Sequence, residues 1–201
     1  TKISQDFKVY LKNISNIKYR FIPAPHLIIE RGELNLSKND ESQIAELEDI
    51  KIFLSLVELY NNKNIKIKKI DINKANFYFK DNDFILFNKH LHQNINKPIN
   101  IKNSNFFYVN KENEVSTISP IKNLNYFIDL QNKEKKLKLK GKLFDVDYNF
   151  NWSKNYQKPN FIETSIKFQN PNINIFNQFK KNKENIITGK SKINFLDNKL
   201  N

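Results

Sequence analysis

Four apolar side chains at every second position, Val146, Tyr148, Phe150 and Trp152, alternate with four polar ones, Asp145, Asp147, Asn149 and Asn151. A period of two marks an extended strand, whose side chains point alternately to opposite sides. One side is wholly apolar and the other wholly polar, so this strand belongs to a sheet solvated on one face. The pattern recurs along most of the chain. It is seen at Phe7, Val9 and Leu11, at Ile50, Ile52 and Leu54, at Leu124, Tyr126, Ile128 and Leu130, at Ile162, Thr164, Ile166 and Phe168, and at Ile187, Gly189, Ser191, Ile193 and Phe195. Short runs of Asn and Lys separate these segments, as turn residues do.

The stretch from Gln43 to Lys80 carries the most detail. Ile65 and Ile67 are out of phase with Ile70 and Ile72, and the slip falls at Lys68-Lys69, which predicts a β-bulge or bend there. Ala75, Phe77 and Phe79 form a further strand face. Leu56, Leu59 and Tyr60 suit one helical turn over residues 55–60. The stretch reads as strand, helical turn, strand, turn, strand. Upstream, Pro23 and Pro25 exclude a helix, His26 to Leu36 reads as a strand with Gly32 at a bulge or bend, and Asn13 to Tyr19 reads as a turn. Downstream, Ile99 to Val109 reads as strand broken in the middle by Asn103 to Asn105, and residues 84–91 fit a short strand or a short helix equally. About ten strands joined by polar turns predict a mainly β protein, an elongated, curved antiparallel meander in one domain spanning residues 1–201.

The 201 residues carry a formal net charge of +13, and all but two of the 34 basic residues, Arg20 and Arg31, are lysine. Sequence-reading nucleic-acid binders lean on arginine, whose planar fork matches base and phosphate edges. Solvated lysine faces are the simpler reading, and no nucleic acid is expected as a partner. Cysteine is absent, which removes disulfides and thiolate chemistry. No GxSxG, GxxxxGK[ST], HExxH or GxGxxG motif occurs, and three glycines leave no phosphate cradle. Asp145 and Asp147 read as solvated acids on the polar side of a strand. His90 and His92 lack further ligands at metal-binding spacing, and His26 stands apart from both. No catalytic residue, metal site or cofactor is expected, and the chain reads as a non-enzyme.

The residues LEDIKIFLSLVELYNNKNIKIKKIDINKANFYFKDND, 47–83, resemble the N-terminal signature of the AsmA-like envelope proteins of Gram-negative bacteria. Leu54, Leu56 and Leu59 match its leucine-rich strand and turn; Ile65, Ile67, Ile70, Ile72, Ala75, Phe77 and Phe79 match the strand pair that follows. Asn64 and Ala75 stand where the family often has Gly and Pro. INIKNSNFFYVNKENEV, 99–115, resembles a second unit of the same kind, with Asn113-Glu114 where its final glycine falls. The resemblance spans about residues 6–152 and fades beyond.

That resemblance implies a periplasmic segment of a longer protein, continued at both ends and anchored in the inner membrane by a helix preceding Thr1. It implies an elongated, taco-like sheet whose greasy channel holds or conducts phospholipid for outer-membrane assembly, with other envelope proteins as possible partners. Alternation then selects the lining: Ile50, Ile52, Leu54, Ile65, Ile67, Phe77, Phe79, Leu124, Tyr126, Ile128, Val146, Tyr148, Phe150 and Trp152. The competing expectation, from the strands alone, is a closed β-sandwich interaction module whose apolar faces cover one another.

Overall fold

The computed structural model describes residues 9–35, 43–55, 57, 65–80, 83, 97–158, 160–181 and 187–195. It is almost entirely β: one large, mostly antiparallel sheet of twelve strands. They are β1 (Tyr10–Arg20), β2 (His26–Asn35), β3 (Gln43–Leu54), β4 (Ile67–Asn73), β5 (Ala75–Phe79), β6 (Ile99–Val109), β7 (Val115–Asp129), β8 (Glu134–Leu143), β9 (Val146–Asn155), β10 (Phe161–Gln169), β11 (Asn172–Lys181) and β12 (Ile187–Phe195). Their spatial order follows the chain from β1 to β12, with β4 and β5 sharing one position between β3 and β6.

Three expectations are corrected. Asn13 to Tyr19 lies within β1 and pairs with β2 through a bulge between Lys12 and Ser15. Residues 67–79 are one bent strand, not a hairpin: β4 and β5 both run antiparallel to β3 and parallel to β6. Asp145 is a turn residue. Phe144 and Asp145 both have positive φ, 49° and 62°, the geometry that joins two twisted strands in a two-residue turn. The bulge expected at Lys68-Lys69 is present, because Phe53 pairs with Lys69 while Leu54 pairs with Ile67, leaving Lys68 as the extra residue. The helical turn at 55–60, apart from Ser55 and Val57, and residues 84–91 with His90 and His92 lie outside the described residues.

A crease crosses the first half of the sheet. Asn16, Asp49, Lys74 and Asn103 have left-handed φ of 47°, 47°, 71° and 49°. They fall along one line, because Glu48 N donates to Lys74 O at 2.8 Å and Lys74 N donates to Lys102 O at 3.0 Å. A left-handed residue turns a strand over, so buried side chains three apart come to share a face. The pairs Leu47 and Ile50, Ile72 and Ala75, and Ile101 and Ser104 all span it this way. Asn and Asp tolerate this backbone better than other residues with a Cβ. Their amides tie the crease together on the polar side, where Asn103 Nδ2 donates to Asn73 Oδ1 at 2.8 Å and Asn16 Nδ2 to Glu30 Oε2 at 2.8 Å. The break read at Asn103 is therefore a bend within a continuous strand.

The core sits against β3, which is bonded to β2 on one side and to β4 and β5 on the other. Ala45, Leu47, Ile50, Ile52 and Leu54 are buried, together with Ile29, Ile67, Ile70, Ala75 and Tyr126. Each fully buried Ile or Leu contributes roughly 1.5–3 kcal/mol. His26 is buried on the opposite side of the sheet: its ring stacks on Phe53 at 5.1 Å and its Nδ1 lies 2.6 Å from Ala24 O.

Farther along, Gly141 in β8 lies against β7. A Cβ there would stand 2.6 Å from Pro120 O and 3.1 Å from the Tyr148 hydroxyl. A backbone oxygen held between two strands cannot swing aside as a side-chain tip can. We expect Gly141→Ala to lower stability by about 2 kcal/mol, read as the urea midpoint. Gly32→Ala, which meets only the flexible Leu11 side chain at 3.3 Å, should cost clearly less.

A candidate apolar binding face

Partner by partner, the registers build one line across the sheet: Ile17, Ile29, Ile50, Ile72, Ile101, Leu124, Leu139, Phe150, Ile166, Ile175 and Ile193. Paired residues share a face, so eleven neighbouring strands each contribute an apolar side chain to the same side. Ten steps at roughly 4.8 Å give a rail about 48 Å long. The adjacent line on the opposite side runs Lys51, Asp71, Asn100, Asn125, Lys138, Asn151, Ser165, Phe176 and Lys192. Apart from Phe176 it is polar, so the sheet separates greasy and wet sides over nearly its whole width.

Burial changes along the rail. Ile29 and Ile50 are each 3% exposed, Leu124, Leu139, Phe150, Ile166 and Ile175 are half-buried, and Ile193 is 55% exposed. Among the described residues the last buried apolar side chain in chain order is Tyr126. The face is thus closed over β2–β6 and open over β8–β12.

The residues selected from sequence divide along this boundary. Ile50, Ile52, Leu54, Ile67, Phe79 and Tyr126 are buried in the closed half. Phe77 is half-buried at its margin, packed against the core. Ile65 precedes β4 and is exposed. Leu124, Ile128, Val146, Tyr148 and Phe150 are half-buried on the open side; Trp152 is half-buried at the boundary, where it and Leu137 pack against the buried core, and the registers bring Leu124 into line with Phe150, and Tyr126 with Leu137 and Trp152. Sequence reasoning left out Leu137, Leu139, Ile166, Phe168, Ile173, Ile175 and Phe179, which stand on the same open face. Their alternation was visible; their membership of this face follows only from the pairing.

The charged side chains of the polar side are largely matched by neighbours. Lys122 Nζ lies 2.7 Å from Asp147 Oδ1, and Lys69 Nζ lies 2.7 Å from Asp71 Oδ2. At the β7–β8 turn Asp129 accepts from Lys136 Nζ at 2.7 Å and from Asn132 Nδ2 at 2.8 Å, which holds its carboxyl well below the usual carboxylate range. A shallow hollow on this side is bordered by Lys136, Lys138, Asn151, Ser153, Glu163 and Ser165 together with the Phe176 ring, so its lining is mixed. Among the described residues no group of three or more His, Cys, Asp or Glu could hold a metal ion, and no helix is long and apolar enough to cross a membrane.

No protein-family model matches the chain, and no curated protein matches it.

Proposed function

We propose that the open half of the sheet holds phospholipid acyl chains, as a non-catalytic lipid-holding or lipid-conducting surface of the bacterial envelope. The observation that carries this reading is the rail. Its open part, from Leu139 in β8 to Ile193 in β12, spans four strand spacings, about 19 Å, against roughly 15 Å for the acyl chains of one leaflet. A solvent-facing apolar strip of that extent marks a surface with an occupant. Acyl chains suit it, since they demand length and dispersion contact and no directional bonds. The resemblance of residues 47–83 to AsmA-like proteins supports the same reading, and with it the proposal of a periplasmic location next to the inner membrane.

Trp152 supplies the test, because it is the only tryptophan in the chain and stands on the open face between Leu137 and Thr164. Phospholipid with brominated acyl chains, delivered from cyclodextrin, should quench its fluorescence saturably. Native mass spectrometry should then find phospholipid on the folded protein. Absence of both signals would sink the proposal and favour the closed interaction module.

A further inference from the structure

The exceptions to charge matching on the polar side gather over β8–β12. Lys138 and Lys140 in β8 stand opposite Asn125 and Asn123 on β7, and opposite Asn151 and Asn149 on β9. Lys167 in β10 is flanked by Asn149 and Asn174, and Lys180 in β11 by Phe161 and Thr188. Lys190 and Lys192 in β12 oppose Gln178 and Phe176. All six residues are exposed, and none has an acid as a cross-strand partner. Among the described residues none of the six forms an ion pair; Lys138 instead leans over the Phe127 ring, 5.6 Å from its centroid. The acids on this side of the same strands are engaged elsewhere. Glu134 lies 3.2 Å from Lys136 Nζ, Asp147 lies 2.7 Å from Lys122 Nζ, and Glu163 accepts from Gln178 Nε2 at 2.8 Å.

The layout decides what such charge can bind. Across the strands, from β8 to β12, the six lysines spread over four spacings, about 19 Å. Along the strands, from Lys167 to the level of Phe161 and its partner Lys180, they spread over six residues, about 20 Å. Nucleic acid is followed by a groove or stripe of charge, whereas these lysines reach as far along the strands as across them. Lysine is also a compact point charge, without the planar fork with which arginine grips a single phosphate or base edge. A plate of separate point charges addresses a plane of anions. A bilayer surface rich in anionic headgroups is such a plane, and each lysine near it adds about fivefold in affinity. The rail lies on the other side of the sheet, so this contact needs no acyl chain in the protein and stands apart from the acyl-chain reading.

We infer that the lysine-rich polar side of β8–β12 docks the sheet onto a bilayer surface carrying anionic phospholipid headgroups, with the apolar rail turned away from that surface.

Sedimentation with sucrose-loaded vesicles tests this on the whole chain. Vesicles of phosphatidylcholine mixed with phosphatidylglycerol should bind at least about tenfold more tightly than pure phosphatidylcholine, and raising salt from about 0.1 M to about 0.5 M should release the protein. Lys138→Gln, Lys140→Gln and Lys167→Gln together should weaken binding about a hundredfold, and the same three lysines changed to Arg should keep it. Lys68→Gln, Lys102→Gln and Lys111→Gln together remove the same net charge from exposed positions elsewhere, and should change binding by less than about threefold. Phe150→Glu, on the rail, should bind these vesicles as the parent does. All six lysine positions used here face water, so urea midpoints should stay with the parent's and separate loss of binding from loss of fold. Equal binding of the two vesicle types, or full binding by the Lys138, Lys140 and Lys167 triple Gln variant, would overturn the docking face. So would an equal loss in the Lys68, Lys102 and Lys111 variant, which would make net charge the cause. Loss of binding in Phe150→Glu alone would move the contact to the rail and overturn the inference. Random-sequence duplex DNA that displaces the protein from the vesicles at equal phosphate concentration would make the face a general polyanion binder and overturn its assignment to a bilayer. Failure of brominated lipid to quench Trp152 would remove the acyl-chain reading and leave this inference standing.

Discussion

Ile50→Glu is expected to cost about 4 kcal/mol or more, most of the stability of a domain that has roughly 5–15 kcal/mol in all. Ile50 is 3% exposed and lies at the centre of the closed half, paired with Ile29 on one strand and Ile72 on the other. A carboxylate there cannot reach water, and none of the core side chains around it carries a charge to pair with. Urea unfolding should show a midpoint shifted far down or a chain already unfolded in buffer. Ile50→Val, which removes one methylene from the same site, should cost about 1 kcal/mol. A glutamate variant as stable as the parent would mean that the closed half admits water.

Phe150→Glu, on the same rail and only five strands farther in the order β4, β6, β7, β8, β9, should behave in the opposite way. Phe150 is half-buried between Leu139 and Ile166 on the open side. A glutamate can extend outward to solvent, so the expected stability cost is about 1–2 kcal/mol. The folded variant should nevertheless lose saturable quenching of Trp152 by brominated phospholipid, because a desolvated carboxylate in the middle of the rail opposes any acyl chain laid over it. Retained lipid binding in a folded Phe150→Glu protein would place the chains elsewhere. Together the two substitutions separate a core position from a binding position that the sequence alternation alone makes look alike.

Much of the fold was legible because its signal is local. Val146 to Trp152 announces β9 by period, and the phase slip at Lys68 locates a bulge before any partner strand is known. Only the start of β1 was legible, because Asn13, Ser15 and Asn16 read as turn residues; the left-handed geometry of Asn13 and Asn16 bends a strand without ending it. Asn73-Lys74 misled in the same way, and Lys74 carries the chain across the crease in its original direction. The parallel placement of β6 beside β4 and β5 is a choice between distant segments, about which local period is silent. For the site, the greasy residues were legible and their alignment was not. Alternation says that Phe150 has a face; only the registers say that the face is shared with Ile101 and Ile193. The boundary between closed and open halves was hidden for the same reason.

The line of eleven apolar partners also determines how such a chain can change its length. Adding or losing a whole hairpin extends or shortens the rail by two strand spacings, about 9.6 Å, and keeps every remaining side chain on its own side. A single residue inserted inside a strand turns all that follow it to the wrong side. The reach of this surface is therefore quantised in hairpins, and variants of it should differ by whole pairs of strands joined at Asn- and Lys-rich turns. Such turns are where a cut or graft would leave the greasy track continuous.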